Sequence, residues 1–326
     1  IKGRLYKGRI MTVNFPGRTI YPQNTLQQKQ NETKNSGIGV AAGVGTYLLG
    51  KQFLALPTNG IMQNMKKINS SLSADESNLL SDSFEKAFKK SGLEEKGVRI
   101  LRVNPSNVAD TAASMTDAHY EQISKKIPQN LKNLEGFGDG VKIPLYQKVY
   151  KQLDTVAKGN NAFFQPKVNS ILLPEKGTGL QLSSFHEMGH AVNKNINKIG
   201  KTLQKLRPLQ IIAPLGVMLV AMTTKEKANS AEGEGGARQF IKDNAGVLAT
   251  MGWIPTIAEE ALATKNGNSI AQKALSSAPD ILKKVKKTNG LGLATYVIMA
   301  AATGIATTLA VKAKDNIQAQ KEQENK

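Results

Sequence analysis

Twenty-three consecutive residues, Asn289–Val311, carry no Asp, Glu, Lys or Arg, and this run restricts the fold more than any other feature. A helix rises 1.5 Å per residue and the hydrocarbon core of a bilayer is roughly 30 Å thick, so a spanning helix needs about 20 apolar residues. Asn289–Val311 meets that length unaided and reads as a transmembrane helix of moderate hydrophobicity, being rich in Ala, Thr and Gly. Three shorter charge-free runs precede it: Asn35–Gly50, Pro208–Thr224 and Asn244–Ala258. The second and third, of 17 and 15 residues, are short for independent spans. Joined through Lys225–Asp243, they fit a tight helical hairpin, either inserted in a membrane or buried in a core. Pro214 in the first arm would kink a helix, which membrane helices tolerate. Asn35–Gly50 has five glycines, with Gly39 and Gly43 at the small-xxx-small spacing of packed helices. It fits a membrane segment or a Gly-rich hydrophobic loop.

The rest of the chain divides around these runs. Residues 1–34 are polar and basic, expected to be poorly ordered and without a secretory signal peptide. Residues 51–288 read as one α+β domain, mostly helical, with the hydrophobic hairpin 208–258 inserted in it. Within it, Ser73–Ser91 places Leu80, Phe84, Ala87 and Phe88 on one helix face, and Gly92 supplies a stop. Val98–Val103 alternates apolar and basic residues, as a half-buried strand does. Ala162–Phe164 and Ser170–Pro174 are two more short strands, so a small antiparallel sheet is expected. Residues 312–326 read as a solvated polar tail.

Composition removes several chemistries. With no cysteine and only three histidines, disulfide scaffolds, thiolate zinc sites and cysteine nucleophiles are excluded. Any metal must be held by His, Asp or Glu. The formal charge of +19 suits nucleic acid or anionic lipid. One Trp and scattered lysines, without a basic–aromatic module, argue against nucleic acid. Lipid is the expected partner.

Two of the three histidines fall in His186-Glu187-Met188-Gly189-His190, an HExxH sequence. Residues four apart lie one above the other on a helix, so both imidazoles can reach one Zn²⁺ at about 2.0–2.1 Å. Glu187, one step round, faces the attacking water. Leu182, Phe185, Gly189, Val192 and Ile196 follow helical spacing and predict a buried face, while Gly189 permits close backbone approach. The alternative is an amphipathic helix whose histidines make ordinary hydrogen bonds.

Catalytic zinc usually has three protein ligands, and no further histidine follows. The downstream acids are Glu226, Glu232, Glu234, Asp243, Glu259, Glu260 and Asp280. The first three lie in a Gly-, Ala- and Ser-rich loop ill suited to a rigid ligand. Thr256 and Glu259 have capping-box spacing, which gives Glu259 a structural task and leaves Glu260 as the better ligand. His119 reads as a surface or core residue, and neither Tyr146 nor Tyr150 is marked as an oxyanion donor.

HEMGHA at His186–Ala191, two apolar stretches and then Glu260-Ala-Leu-Ala-Thr264 together resemble the membrane-bound gluzincin proteases. That family includes the CaaX prenyl-protein endopeptidases and the bacterial heat-shock membrane proteases. Asn161-Ala-Phe-Phe and Asn169-Ser-Ile-Leu-Leu resemble its strand lead-in, so the likeness covers about Asn161–Gly267. It implies a zincin-like fold, with Glu260 as third ligand on an ExxAD-type helix. Thr264 stands where the family has its final Asp, a residue that orients a ligand. By analogy with other zincins, Ser170, Ile171, Leu172 and Leu173 would form the edge strand that pairs with substrate.

The expected activity is zinc-dependent endopeptidase action on a peptide or protein substrate. His186, His190 and Glu260 would hold Zn²⁺, and Glu187 would act as general base. All three ligands must lie on one side of a membrane, which an even number of intervening crossings satisfies. Lys51–Pro208 holds 23 basic against 14 acidic residues, a net of +9, whereas Lys225–Asp243 balances four against four. That asymmetry favours a cytoplasmic catalytic domain. The rival expectation is a membrane-associated scaffold or adaptor with impaired catalysis, which Thr264 favours and the intact HExxH opposes.

Overall fold

The computed structural model describes residues 23–224 and 236–324. The first 22 residues of the N-terminal segment, most of the hairpin loop with Glu226, Glu232 and Glu234, and the last two residues lie outside it. The elements run α1 (Gln23–Leu54), α2 (Leu56–Ser70), α3 (Ala74–Lys90), β1 (Arg99–Val103), α4 (Val108–Ser124), α5 (Gln129–Lys132) and α6 (Phe137–Ala157). Then come β2 (Phe163–Gln165), β3 (Ser170–Pro174), a 3₁₀ turn at Gln181–Ser183, α7 (Ser184–Asn195), α8 (Lys198–Leu206) and α9 (Leu209–Thr223). The chain closes with α10 (Ala237–Asp243), α11 (Ala245–Met251), α12 (Ile254–Ala274) and α13 (Pro279–Glu324). The fold is thus mostly helical with a small sheet.

Local chemistry explains α3. Ser73 caps α3 by accepting from the Glu76 N–H at 3.1 Å, while the Glu76 carboxylate accepts from the Ser73 N–H at 2.8 Å. Gly92, at φ +71°, ends the segment in a conformation that favours glycine. Leu80, Phe84 and Phe88 are buried, and Phe84 meets Phe185 of α7 edge-on at 5.6 Å.

The sheet differs from expectation in two ways. Its order is β1-β3-β2, with β3 parallel to β1 and antiparallel to β2. It is mixed, not antiparallel, because α4 to α6 form a crossover between β1 and β3, and a crossover is what parallel strands require. Ser170–Pro174 is therefore the central strand. Both its edges are paired and all five residues are buried, so Ser170, Ile171, Leu172 and Leu173 cannot receive a substrate strand. Ile171 and Leu173 join the core under α7, while Leu172 joins the core under α4 and α6. A strand covered on both faces reads as an unbroken apolar run.

The charge-free runs become helices packed together. Asn35–Gly50 lies within α1, which is helical from Gln23, so residues 23–34 are not irregular. Residues 312–324 are not a free tail either: α13 continues through them, and Lys314 is fully buried. A Cβ on Gly39 would come within 3.2 Å of the Lys314 carbonyl, and one on Gly43 within 2.9 Å of the Ala310 carbonyl. The Gly39/Gly43 pair thus seats α1 on α13. Gly246 of α11 and Gly304 of α13 make a similar crossing, each facing the other's carbonyl at 2.8 Å from its Cβ position. The hairpin's outgoing arm is α9. Its return arm is broken into α10, α11 and the start of α12 at Asn244 and Gly252.

Two helical runs, Lys198–Thr223 and Pro279–Lys321, are long and apolar enough to cross a membrane. On α9, Ile211, Ile212 and Leu219 are 59%, 61% and 67% exposed. Water would make that unfavourable and lipid would not.

Candidate metal centre

The centre lies where α7 crosses α12. A Cβ on Gly189 would fall 2.1 Å from the Ala263 carbonyl oxygen, and one on Gly267 would fall 2.3 Å from that of Phe185. Only glycine lets the two backbones meet this closely. The crossing brings Glu259, Glu260 and Thr264 of α12 against His186 and His190 of α7. Leu182, Phe185 and Met188 anchor the other side of this region in the core. Ile196, expected on the same face, is instead 51% exposed because α7 ends at Asn195.

Three ligand atoms converge. His186 Nε2 lies 3.1 Å from His190 Nε2 and 3.1 Å from Glu260 Oε2, and His190 Nε2 lies 3.3 Å from the same oxygen. A tetrahedral ion with bonds of about 2.0–2.1 Å has ligand–ligand edges of about 3.3 Å, so the triangle matches the face that zinc needs. The outer ring nitrogens are occupied. His190 Nδ1 meets Glu259 Oε1 at 2.9 Å, and His186 Nδ1 meets Thr264 Oγ1 at 3.2 Å. Partners at Nδ1 orient both rings with Nε2 inward, and the Glu259 carboxylate, which can only accept, keeps a proton on His190 Nδ1.

Electrostatics point to a cation at the centre. Burial alone would raise the Glu260 carboxyl, but His190, His186 and Arg207 hold it well below its ordinary range. Burial alone would likewise lower His190, yet Glu260 and Glu259 hold it well above 6.5. Imidazole and carboxylate atoms buried this close together suit a shared cation, and the cluster could hold a metal ion.

Glu187 is the fourth member. Its Oε2 accepts the Phe164 N–H at 2.7 Å, which ties it to the outer side of β2, one of the two edge strands. Burial pushes its carboxyl up, despite the opposing pull of both histidines. His186, Glu187 and His190 are only 7%, 6% and 6% exposed, so the site is enclosed.

Glu259 does not cap α12. The helix begins at Ile254, and Thr256 lies inside it with its hydroxyl buried and unpartnered among the described residues. Glu259 instead accepts from Asn193 Nδ2 at 2.8 Å and Gln204 Nε2 at 2.9 Å as well as meeting His190. Capping-box spacing misled here because Pro255 starts the helix earlier. Asp243 and Asp280 lie outside the cluster. His119 pairs with Lys167 Nζ at 2.6 Å, and Tyr146 stacks near Tyr150 at 5.9 Å, all away from the centre.

The main residue missed from sequence is Arg207. Its Nη1 donates to Glu259 Oε2 at 2.8 Å and its Nη2 to Glu260 Oε1 at 2.7 Å, so one guanidinium sets both carboxylates. Tyr296 of α13 lies over it, 5.8 Å from ring centre to Cζ. The signals were faint: an arginine bordering one charge-free run and the one tyrosine within another. Comparison with protein-family models, curated proteins and solved structures finds no match to the chain.

Proposed function

We propose that the chain is a membrane-associated zinc endopeptidase of gluzincin type, with a zincin-like catalytic domain. The observation that carries this reading is the 3.1–3.3 Å triangle of His186 Nε2, His190 Nε2 and Glu260 Oε2 with Glu187 beside it. Zinc held there would lower the pKa of water and polarise a carbonyl. The chain's own residues supply the rest. Glu187, anchored at Oε2 by Phe164 and made more basic by burial, takes the proton from the attacking water and returns it to the leaving amine. Glu259, Thr264 and Arg207 keep the ligands aimed.

Thr264 is the motive for the rival scaffold reading. Its hydroxyl nevertheless keeps a partner on His186 Nδ1, which supports retained metal binding. The test is metal analysis of the purified protein with peptide cleavage by wild type and Glu187→Gln. Stoichiometric zinc in both, with cleavage lost only in the variant, is expected. A wild type that binds no zinc refutes the enzyme reading, and zinc with equal cleavage by both refutes the role of Glu187.

A further inference from the structure

We propose that a collar of lysines at the catalytic-domain end of the apolar bundle docks on anionic phospholipid headgroups and holds the His186–His190–Glu260 centre at headgroup height. The inference rests on reading α9 and α13 as membrane-inserted.

Three segments enter the bundle from the domain: the end of α2, the α8–α9 junction and the early part of α13. Two contacts fix their relative level. A Cβ on Gly292 would lie 3.9 Å from Met65 Cε of α2, and Arg207 lies against Tyr296. Gly292 and Tyr296 are one turn apart on α13, about 6 Å along the axis. All three segments therefore meet near the point where the charge-free run of α13 begins. Arg207 and Pro208 keep right-handed helical backbone angles, so α8 leads into α9 without a long loop.

Exposed lysines gather on the domain side of that level: Lys66 and Lys67 on α2, Lys201 and Lys205 on α8, and Lys286 and Lys287 on α13. None of the six forms an ion pair among the described residues; Lys286 reaches only the Gln272 amide oxygen at 3.1 Å. No Asp or Glu occurs between Glu187 and Glu226, so α8 and α9 lack acids of their own. On the other side of the level, Leu209, Ile211, Ile212 and Val297 expose apolar side chains. A basic ring bordering an apolar belt fits a partner that is anionic above and hydrocarbon below. An anionic bilayer offers both, and a nucleic acid or acidic protein offers only the first. Arg207, which grips Glu259 and Glu260, lies two residues from Lys205, so the centre sits beside the α8 part of the collar.

The test uses the full chain in phosphatidylcholine vesicles with trace spin-labelled phosphatidylglycerol or phosphatidylcholine, read by electron paramagnetic resonance. A motionally restricted lipid shell is expected, with phosphatidylglycerol preferred about fivefold at low salt, the scale of one lysine near an anionic surface. High salt is expected to weaken the preference. Replacing Lys66, Lys67, Lys201, Lys205, Lys286 and Lys287 with Gln should bring it close to onefold while zinc content is unchanged. A restricted shell without phosphatidylglycerol preference overturns the collar and leaves the membrane reading intact. An undiminished preference in the six-Gln variant also overturns it. Absence of any restricted lipid removes the membrane reading itself.

Discussion

Glu259 and Glu260 are adjacent and both buried, yet their geometry assigns them different work, and substituting each with Gln separates the roles. Glu260 directs Oε2 into the triangle, so Glu260→Gln removes a ligand charge and is expected to strip the metal. Glu259 directs Oε1 to His190 Nδ1, Asn193 and Gln204, and Oε2 to Arg207. A glutamine cannot serve both sides. Its amide nitrogen must face either Arg207 or the donors at Oε1, and the carboxylate that steadies the imidazole is gone. Removing a residue that orients a ligand lowers metal affinity by about 10- to 100-fold, or about 1.4 to 2.8 kcal/mol at 1.4 kcal/mol per factor of ten. The two-sided conflict puts Glu259→Gln in the upper part of that range. Competition for zinc against a fluorescent chelator at fixed pH measures it. If Glu259→Gln empties the site while Glu260→Gln retains zinc, the assignment is reversed. If Glu259→Gln changes nothing, the orienting role is refuted.

Three further outcomes are expected. Thr264→Val removes the partner at His186 Nδ1 and should weaken zinc binding about tenfold, whereas Thr264→Asp should preserve or tighten it; the same chelator titration decides. His190 in the metal-free protein is held protonated well above pH 6.5, so zinc binding at pH 7 should release a proton and tighten as pH rises above 6.5. Calorimetry in buffers of different protonation heat reads this, and uptake without proton release would contradict it. Gly246→Val would place a Cβ 2.0 Å from Thr308 Oγ1, while Gly45 has open space around it. The first should cost about 1–3 kcal/mol and lower the thermal midpoint, whereas Gly45→Ala, inside α1 with room for a methyl, should raise it slightly.

The meeting of His186 and His190 was legible in the sequence because i, i+4 spacing on a helix is a local property. Local chemistry also revealed α3, where Ser73, Glu76 and Gly92 mark both ends. What sequence could not show depends on long-range partners. Ser170–Leu173 reads as a strand, but whether it is edge or centre depends on β1, about 70 residues earlier and joined by a helical crossover. Glu259 matched a capping pattern, and its actual partner is 69 residues away. Residues 312–324 look solvated by composition, yet α13 continues through them and α1 seats on its Lys314 and Gln318 because Gly39 presents no side chain. Arg207 carried no motif at all. Its role exists only because α8 ends beside α12.

If the centre holds a metal, the glycine crossing of α7 and α12 would also act as a gauge for ion size. The triangle's edges are set by how far apart the two backbones lie, and that distance is set by the absence of side chains at Gly189 and Gly267. A methyl group at residue 189 would wedge the helices apart and lengthen the edges shared with Glu260, though every ligand would remain. Widening by about 0.5 Å corresponds to bonds near 2.3–2.4 Å, longer than zinc makes to nitrogen or oxygen. Gly189→Ala should therefore shift preference toward larger divalent ions, read by metal competition, and unchanged zinc selectivity would show that the helices relax elsewhere. On this view the two middle positions of HExxH are not free spacers, and one of them helps to choose the metal.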